Sequence, residues 1–179
     1  SEGYMPLREW IATEMAARGI TAQRDDVLVT NGAQQVLDLA GKLFLDPGDV
    51  VPTENPTYLA AIQAFQTFEA KFVGVPTDEH GLIPEALPEL IKQHRPKFLY
   101  TIPSFQNPTG ITLIAERRRK LAEIAARENL WVVEDDPYGK LRYSGVDVAP
   151  IKHWDTAGRV IYVSTFSKTI APGFRLGWV

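Results

Sequence analysis

The chain has no cysteine among its 179 residues, which excludes disulfides and thiolate metal sites. Histidine is scarce too. His80, His94 and His153 are scattered without metal-ligand spacing and read as surface or loop residues. No apolar run approaches the ~20 residues of a membrane-spanning helix, and no signal peptide opens the sequence. An excess of charge is also missing. A net charge of −3 and a pI near 5.6 leave no basic footprint for nucleic acid or for an anionic membrane surface. These absences lead to the expectation of a cytoplasmic protein with small-molecule partners, no nucleic acid and no membrane. What is present is 45% apolar residues, enough for a sizeable core, in a length usual for one domain.

Helix-like and strand-like stretches alternate. Residues 7–18 place Leu7, Ile11 and Met15 at a four-residue spacing, with Gly19 as a stop. Val27–Thr30 reads as a short buried strand running through Asn31-Gly32 into a helix with Val36, Leu37, Ala40, Leu43 and Phe44 on one face. Asp46-Pro47-Gly48-Asp49 ends that helix. Further strands are predicted at 50–52, 70–75, 98–102, 130–134, 160–164 and 175–179. Helices are predicted around Leu59–Phe65, after Pro84 and over 114–129. Most of the seven strand candidates are continuous apolar runs rather than alternating ones. That pattern predicts a three-layer α/β/α fold with a mostly parallel seven-stranded sheet.

Ligands of such sheets bind beyond the carboxyl ends of the strands. The polar segments there are Asn31-Gly32-Ala33-Gln34, Asn55-Pro56-Thr57-Tyr58, Ser104–Gly110, Asp135-Asp136-Pro137-Tyr138 and Thr165-Phe166-Ser167-Lys168. All five are expected to open on one side of the sheet. Gly32-Ala33-Gln34 begins a helix, where free N–H groups suit a phosphate; a simple connecting turn has the same composition. Asp135 ends an apolar strand, where a carboxylate can keep a pyridinium nitrogen protonated; a solvated acidic turn over Glu134-Asp135-Asp136 is the plainer alternative. Lys168 carries an amine able to form a Schiff base, though most lysines are solvated charges. Arg175 can grip a phosphate with two parallel bonds or form a surface ion pair. Asn107 can donate to a ligand oxygen. Tyr58 and Tyr138 can stack on a ring or stand as half-buried aromatics. Arg117-Arg118-Arg119-Lys120 is expected to be a solvated helix face, and Trp10, Trp131, Trp154 and Trp178 core or interface residues.

In order along the chain, Asn31-Gly32-Ala33-Gln34-Gln35, Asn55-Pro56-Thr57-Tyr58, Pro103–Gly110, Glu134–Gly139, Ser164–Lys168 and Pro172–Gly177 resemble the fold-type I pyridoxal 5′-phosphate (PLP) enzymes of the class I/II aminotransferase family. The resemblance is closest to the branch that includes 2-aminoadipate and kynurenine aminotransferases. It implies that Lys168 forms the Schiff base with PLP and moves the proton, and that Asp135 pairs with the pyridinium nitrogen. It implies that Asn107 and Tyr138 bind the ring hydroxyl oxygen and that Tyr58 stacks on the ring. Gly32, Ala33, Gln34, Thr165, Ser167 and Arg175 would form the phosphate site. The reaction implied moves an amino group between an amino acid and a 2-oxo acid, in a homodimer.

The resemblance further implies that residues 1–179 are the PLP-binding large domain alone, with the N-terminal arm and the C-terminal small domain outside this sequence. The family's substrate-carboxylate arginine has no match here, and none is assigned. Two rival readings share the fold: the effector domain of a PLP-binding transcriptional regulator, and a PLP-dependent lyase. Asn107 and Pro137-Tyr138 favour the enzyme over the regulator.

Overall fold

The computed structural model describes residues 2–179. Its helices are α1 (Met5–Ala17), α2 (Ala33–Phe44), α3 (Leu59–Gln66), α4 (Leu87–His94) and α5 (Ala115–Glu128). Its strands are β1 (Val29–Thr30), β2 (Val50–Glu54), β3 (Lys71–Val75), β4 (Thr77–Asp78), β5 (Gly81–Leu82), β6 (Phe98–Thr101), β7 (Trp131–Asp135), β8 (Val160–Thr165) and β9 (Gly177–Trp178).

Seven strands form one sheet in the order β1-β9-β8-β7-β6-β2-β3, and only β9 runs against its neighbours. The mostly parallel α/β reading is therefore correct. The two outer predictions shrink: strand 27–30 keeps Val29–Thr30, and strand 175–179 keeps Gly177–Trp178. The β4–β5 hairpin was not expected; two residues per strand are too few to show a period.

Side chains alternate across the central strands and split the core in two. Phe98, Tyr100, Val133 and Val163 face α2 and α3, where Val36, Leu37, Ala61 and Phe65 meet them. Leu99, Val132 and Val160 face the opposite way, against Leu87, Leu121, Ile124 and Ala125 of α4 and α5. Ile11 and Met15 of α1 cover Tyr162 and Trp178 on the same side as α5. Two of the helices end on a left-handed residue: Arg95 after α4 and Asn129 after α5. Among the described residues, no helix is long and apolar enough to cross a membrane.

Candidate functional site

All five polar segments reach the same rim. A cavity of about 220 Å³ at the carboxyl ends of β6, β7 and β8 is lined by Ala33, Gln34, Tyr58, Asn107, Asp135, Tyr138, Thr165, Ser167, Lys168 and Arg175. Gly32 lies just beneath, at the start of α2. Every residue named from the sequence as a cofactor contact thus falls in or against one cavity.

One end of it is built for an anion. Gly32 caps α2 with φ at 75°, a conformation that costs glycine nothing. No side chain caps this helix, and its first turn holds no acidic residue. The leading N–H groups and the positive end of the helix dipole are left for something else. The Arg175 guanidinium lies across the same turn: a Cβ added to Gly32 would sit 2.8 Å from its Nη2. Thr165 Oγ1 donates to the Leu176 carbonyl at 2.9 Å, lies 3.0 Å from Ser167 Oγ, and accepts from the Ser167 N–H at 3.1 Å. Gln34 Nε2 donates to the Ala60 carbonyl at 3.2 Å, which ties α2 to α3. Donors and a fixed cation converge here with no protein anion among them, which suits a phosphate.

The other end holds Asp135, the last residue of β7. Its Oδ2 accepts the Tyr100 hydroxyl at 2.8 Å, while its Oδ1 is buried without a partner. Burial pushes its carboxyl up to about 7; the Tyr100 hydrogen bond works against that rise and Asp136 adds to it. Asn107 Nδ2 lies 3.4 Å from Tyr138 Oη, so two side chains from different loops point at one spot. Burial, with the nearby Asp135, raises the Tyr58 phenol. Lys168 is exposed and opens into the same cavity. The alternative of a solvated acidic turn fails, because Glu134, Asp135 and Asp136 are all buried.

One expectation is overturned. The basic run in α5 is not a solvated face, for Arg118 is fully buried. Its Nη2 donates to the Pro103 carbonyl at 2.7 Å and to Ser104 Oγ at 3.1 Å. Its Nε donates to the Leu113 carbonyl at 2.8 Å and its Nη1 to the Ala149 carbonyl at 3.2 Å. Both ends of the loop that carries Asn107 are thereby clamped by one guanidinium. Helix spacing held the signal: Arg118 stands three, four and seven positions before Leu121, Ala122 and Ala125, all of them buried.

Other supporting residues went unread. Gln106 Nε2 donates to the Pro56 carbonyl at 2.9 Å and its Oε1 accepts the Thr109 N–H at 3.0 Å, joining the Asn107 loop to the segment of Tyr58. Glu54, fully buried at the end of β2, accepts from Thr101 Oγ1 and, at 3.1 Å, from the Ile102 N–H. Arg18 Nη1 pairs with Asp136 at 2.6 Å and braces the turn that leads to Tyr138. Apart from the local Gln106–Thr109 bond, each of these contacts joins residues far apart in sequence, so no local pattern announces it.

Comparison with known proteins agrees with this arrangement. The family model described as aminotransferase class I and II matches residues 2–179. The aromatic-amino-acid aminotransferase 1 of Thermococcus litoralis is 50% identical, over 100% of this chain and 44% of its own length. A kynurenine aminotransferase of Pyrococcus horikoshii, solved in complex with PMP, superposes with a TM-score of 0.93 at 48% identity, covering 99% of this chain and 45% of that one. A Bacillus subtilis protein named as an uncharacterized HTH-type transcriptional regulator is 35% identical over 99% of this chain and 37% of its own length. The chain spans less than half the length of each.

Proposed function

Because the chain belongs to the class I and II aminotransferase family, we propose that residues 1–179 are the PLP-binding large domain of an aminotransferase that moves an amino group between an amino acid and a 2-oxo acid. One observation carries this reading. A single cavity presents an amine, a buried carboxylate oxygen without a partner, and an anion-free cradle of donors. Those are the three contacts a flat aromatic aldehyde bearing a phosphate requires.

When bound, PLP supplies an aldehyde that takes up amines and a ring that accepts the electron pair left when an amino acid loses its Cα proton. The chain's own residues do the rest. Lys168 Nζ anchors the cofactor and, once an amino acid has replaced it, holds and returns the proton. Asp135 Oδ1 keeps the ring nitrogen protonated. Asn107 and Tyr138 bind the ring hydroxyl oxygen, and Tyr58 covers the ring face. The N–H groups of Ala33 and Gln34, with Thr165, Ser167 and Arg175, hold the phosphate, and Gly32 keeps the backbone clear for it. A homodimer and a cytoplasmic location belong to the same reading. Asn107 and Pro137-Tyr138 favour it over a regulator's effector domain. A lyase of the same fold would share the cofactor residues, so the test must reach the amino transfer itself.

The test adds PLP to the chain, reduces with borohydride and maps the labelled peptide by mass spectrometry. The expected result is a phosphopyridoxyl group on Lys168, and none at that position in Lys168→Ala. Scattered labelling of other lysines would sink the reading. Return of the cofactor from its amine to its aldehyde form on adding a 2-oxo acid separates an aminotransferase from a lyase.

A further inference from the structure

Tyr100 lies in the middle of the sheet, in β6, the strand hydrogen-bonded to the one that carries Asp135. It is fully buried, and its ring packs edge-on to Phe65 with centroids 5.7 Å apart and planes at 75°. Packed in this way the ring has no room to turn, and its hydroxyl has one partner, Asp135 Oδ2 at 2.8 Å. The phenol donates its only hydrogen to that oxygen, so a proton held by Asp135 is directed to Oδ1, the buried oxygen without a partner.

We propose that Tyr100 is a positioning residue for Asp135: its hydroxyl fixes Oδ2 so that Oδ1 alone both accepts and gives up the proton shared with the ligand in the cavity. This rests on the reading that Asp135 meets the ring nitrogen of PLP. Without a fixed donor, either oxygen could carry the proton, and a carboxyl turned by half a rotation would present the wrong state to the ring. The neighbours make such a donor necessary. Asp136, next in the chain, pushes a proton onto Asp135, and the buried Glu54 at the end of β2 is near enough to feel the Asp135 charge. Tyr58, the residue that precedes α3, approaches on the cavity side, and Tyr138, Lys168 and Arg175 complete that wall. Among the described residues Tyr100 is the only side chain that hydrogen-bonds the Asp135 carboxyl.

The test follows the Asp135 carboxyl by carbon NMR while pH is varied, in the PLP-free chain and in Tyr100→Phe, which keeps the ring and removes one oxygen. The expected result is an Asp135 midpoint raised by roughly one pH unit, the usual size for losing one hydrogen bond to a charged carboxylate. PLP is expected to bind several-fold more weakly, with Lys168 still labelled after borohydride. An unchanged midpoint in a folded variant overturns the proposal. Should Tyr100→Phe fail to fold, 3-fluorotyrosine at position 100 keeps the shape and makes the hydroxyl a stronger donor. The Asp135 midpoint must then fall, and a midpoint that stays or rises overturns the proposal. Neither titration uses the cofactor, so failure of Lys168 to be labelled in the unaltered chain would count against PLP binding and not against the role of Tyr100.

Discussion

Gly177 of β9 lies directly on Gly32, the residue that opens α2. A Cβ built on Gly177 would stand 2.6 Å from the Gly32 carbonyl carbon and 2.7 Å from the Ala33 nitrogen. Those atoms are backbone, so they cannot swing aside as a side-chain tip would. The contact sets the height of the α2 N-terminus above the sheet, and with it the anion end of the cavity. Gly177→Ala is expected to cost about 1–3 kcal/mol through the forced backbone shift and to weaken PLP retention along with stability. Gly173→Ala, where an added Cβ meets nothing within 4 Å, is the control. It is expected to stay within about 0.5 kcal/mol of the unaltered chain. Urea unfolding of the two variants, with a PLP titration of each, checks the contrast.

Arg118 and Arg119 are neighbours in α5 with opposite fates. Arg118 is fully buried and clamps the Asn107 loop, whereas Arg119 makes an exposed i,i+4 pair with Glu123. Arg118→Met takes this donor from the carbonyls of Leu113 and Ala149, while that of Pro103 keeps the Leu113 N–H at 2.8 Å. At about 1–3 kcal/mol for each buried group left unsatisfied, a loss of at least about 2 kcal/mol is expected. Arg119→Ala is expected to change stability by less than about 0.5 kcal/mol. Equal effects from the two substitutions would show that the clamp carries no stability.

These contrasts explain how much could be read in advance. The rim residues were legible because a parallel sheet exposes its ligand contacts where strands end, and strand ends are marked by polar residues after apolar runs. Asp135 and Lys168 follow that rule. Tyr100 does not: it sits inside Phe98-Leu99-Tyr100-Thr101, a run that looks like plain core, and its hydrogen bond crosses to another strand. The acidic triplet at 134–136 was open to two readings because solvated turns have the same composition. What decides between them is tertiary. Two backbone N–H groups, those of Ile151 and Lys152, meet Glu134, and Arg18 meets Asp136. Gly177 was equally silent, since its constraint comes from a turn 145 positions away (177 − 32).

Arg18 and Asp136 form a pair that is almost wholly withdrawn from water, with side-chain exposures of 8% and 0%. Burial disfavours the Arg18 charge, but Tyr162 and Asp136 outweigh it, and the guanidinium is held above its ordinary value. Arg18→Met removes the cation and strands the Asp136 carboxylate, a loss of about 3–5 kcal/mol for a broken buried pair. Adding Asp136→Asn is expected to recover part of that loss, because no charge is then left uncompensated. A double-mutant cycle by urea unfolding measures the coupling; additive effects would mean that the pair does not act as a unit.

Three buried carboxyls set the pH dependence of the PLP-free chain. Burial pushes Glu54, Glu134 and Asp135 each up to about 7. The unfolded chain releases these protons at ordinary carboxylate values near 4, while the folded chain keeps them until about pH 7. Between those values the unfolded state binds fewer protons, so stability falls as pH rises, by up to about 1.4 kcal/mol per pH unit for each group. Above pH 7 both states are ionised and the slope vanishes. At the acid end Asp78, held down to about 2 by Arg117, and Asp155 act in the opposite sense, since their protonation costs stability as pH falls. The expected optimum therefore lies near pH 4, with urea midpoints declining from about pH 4 to 7 and level above. Glu54→Gln, which cannot ionise, is expected to make that decline shallower. Bound PLP is expected to do the same through Asp135, because a protonated ring nitrogen at Oδ1 stabilises the carboxylate and returns its midpoint toward the ordinary range. A stability curve that rises from pH 5 to 7 in the PLP-free chain would show that these three carboxyls are ionised in the folded state.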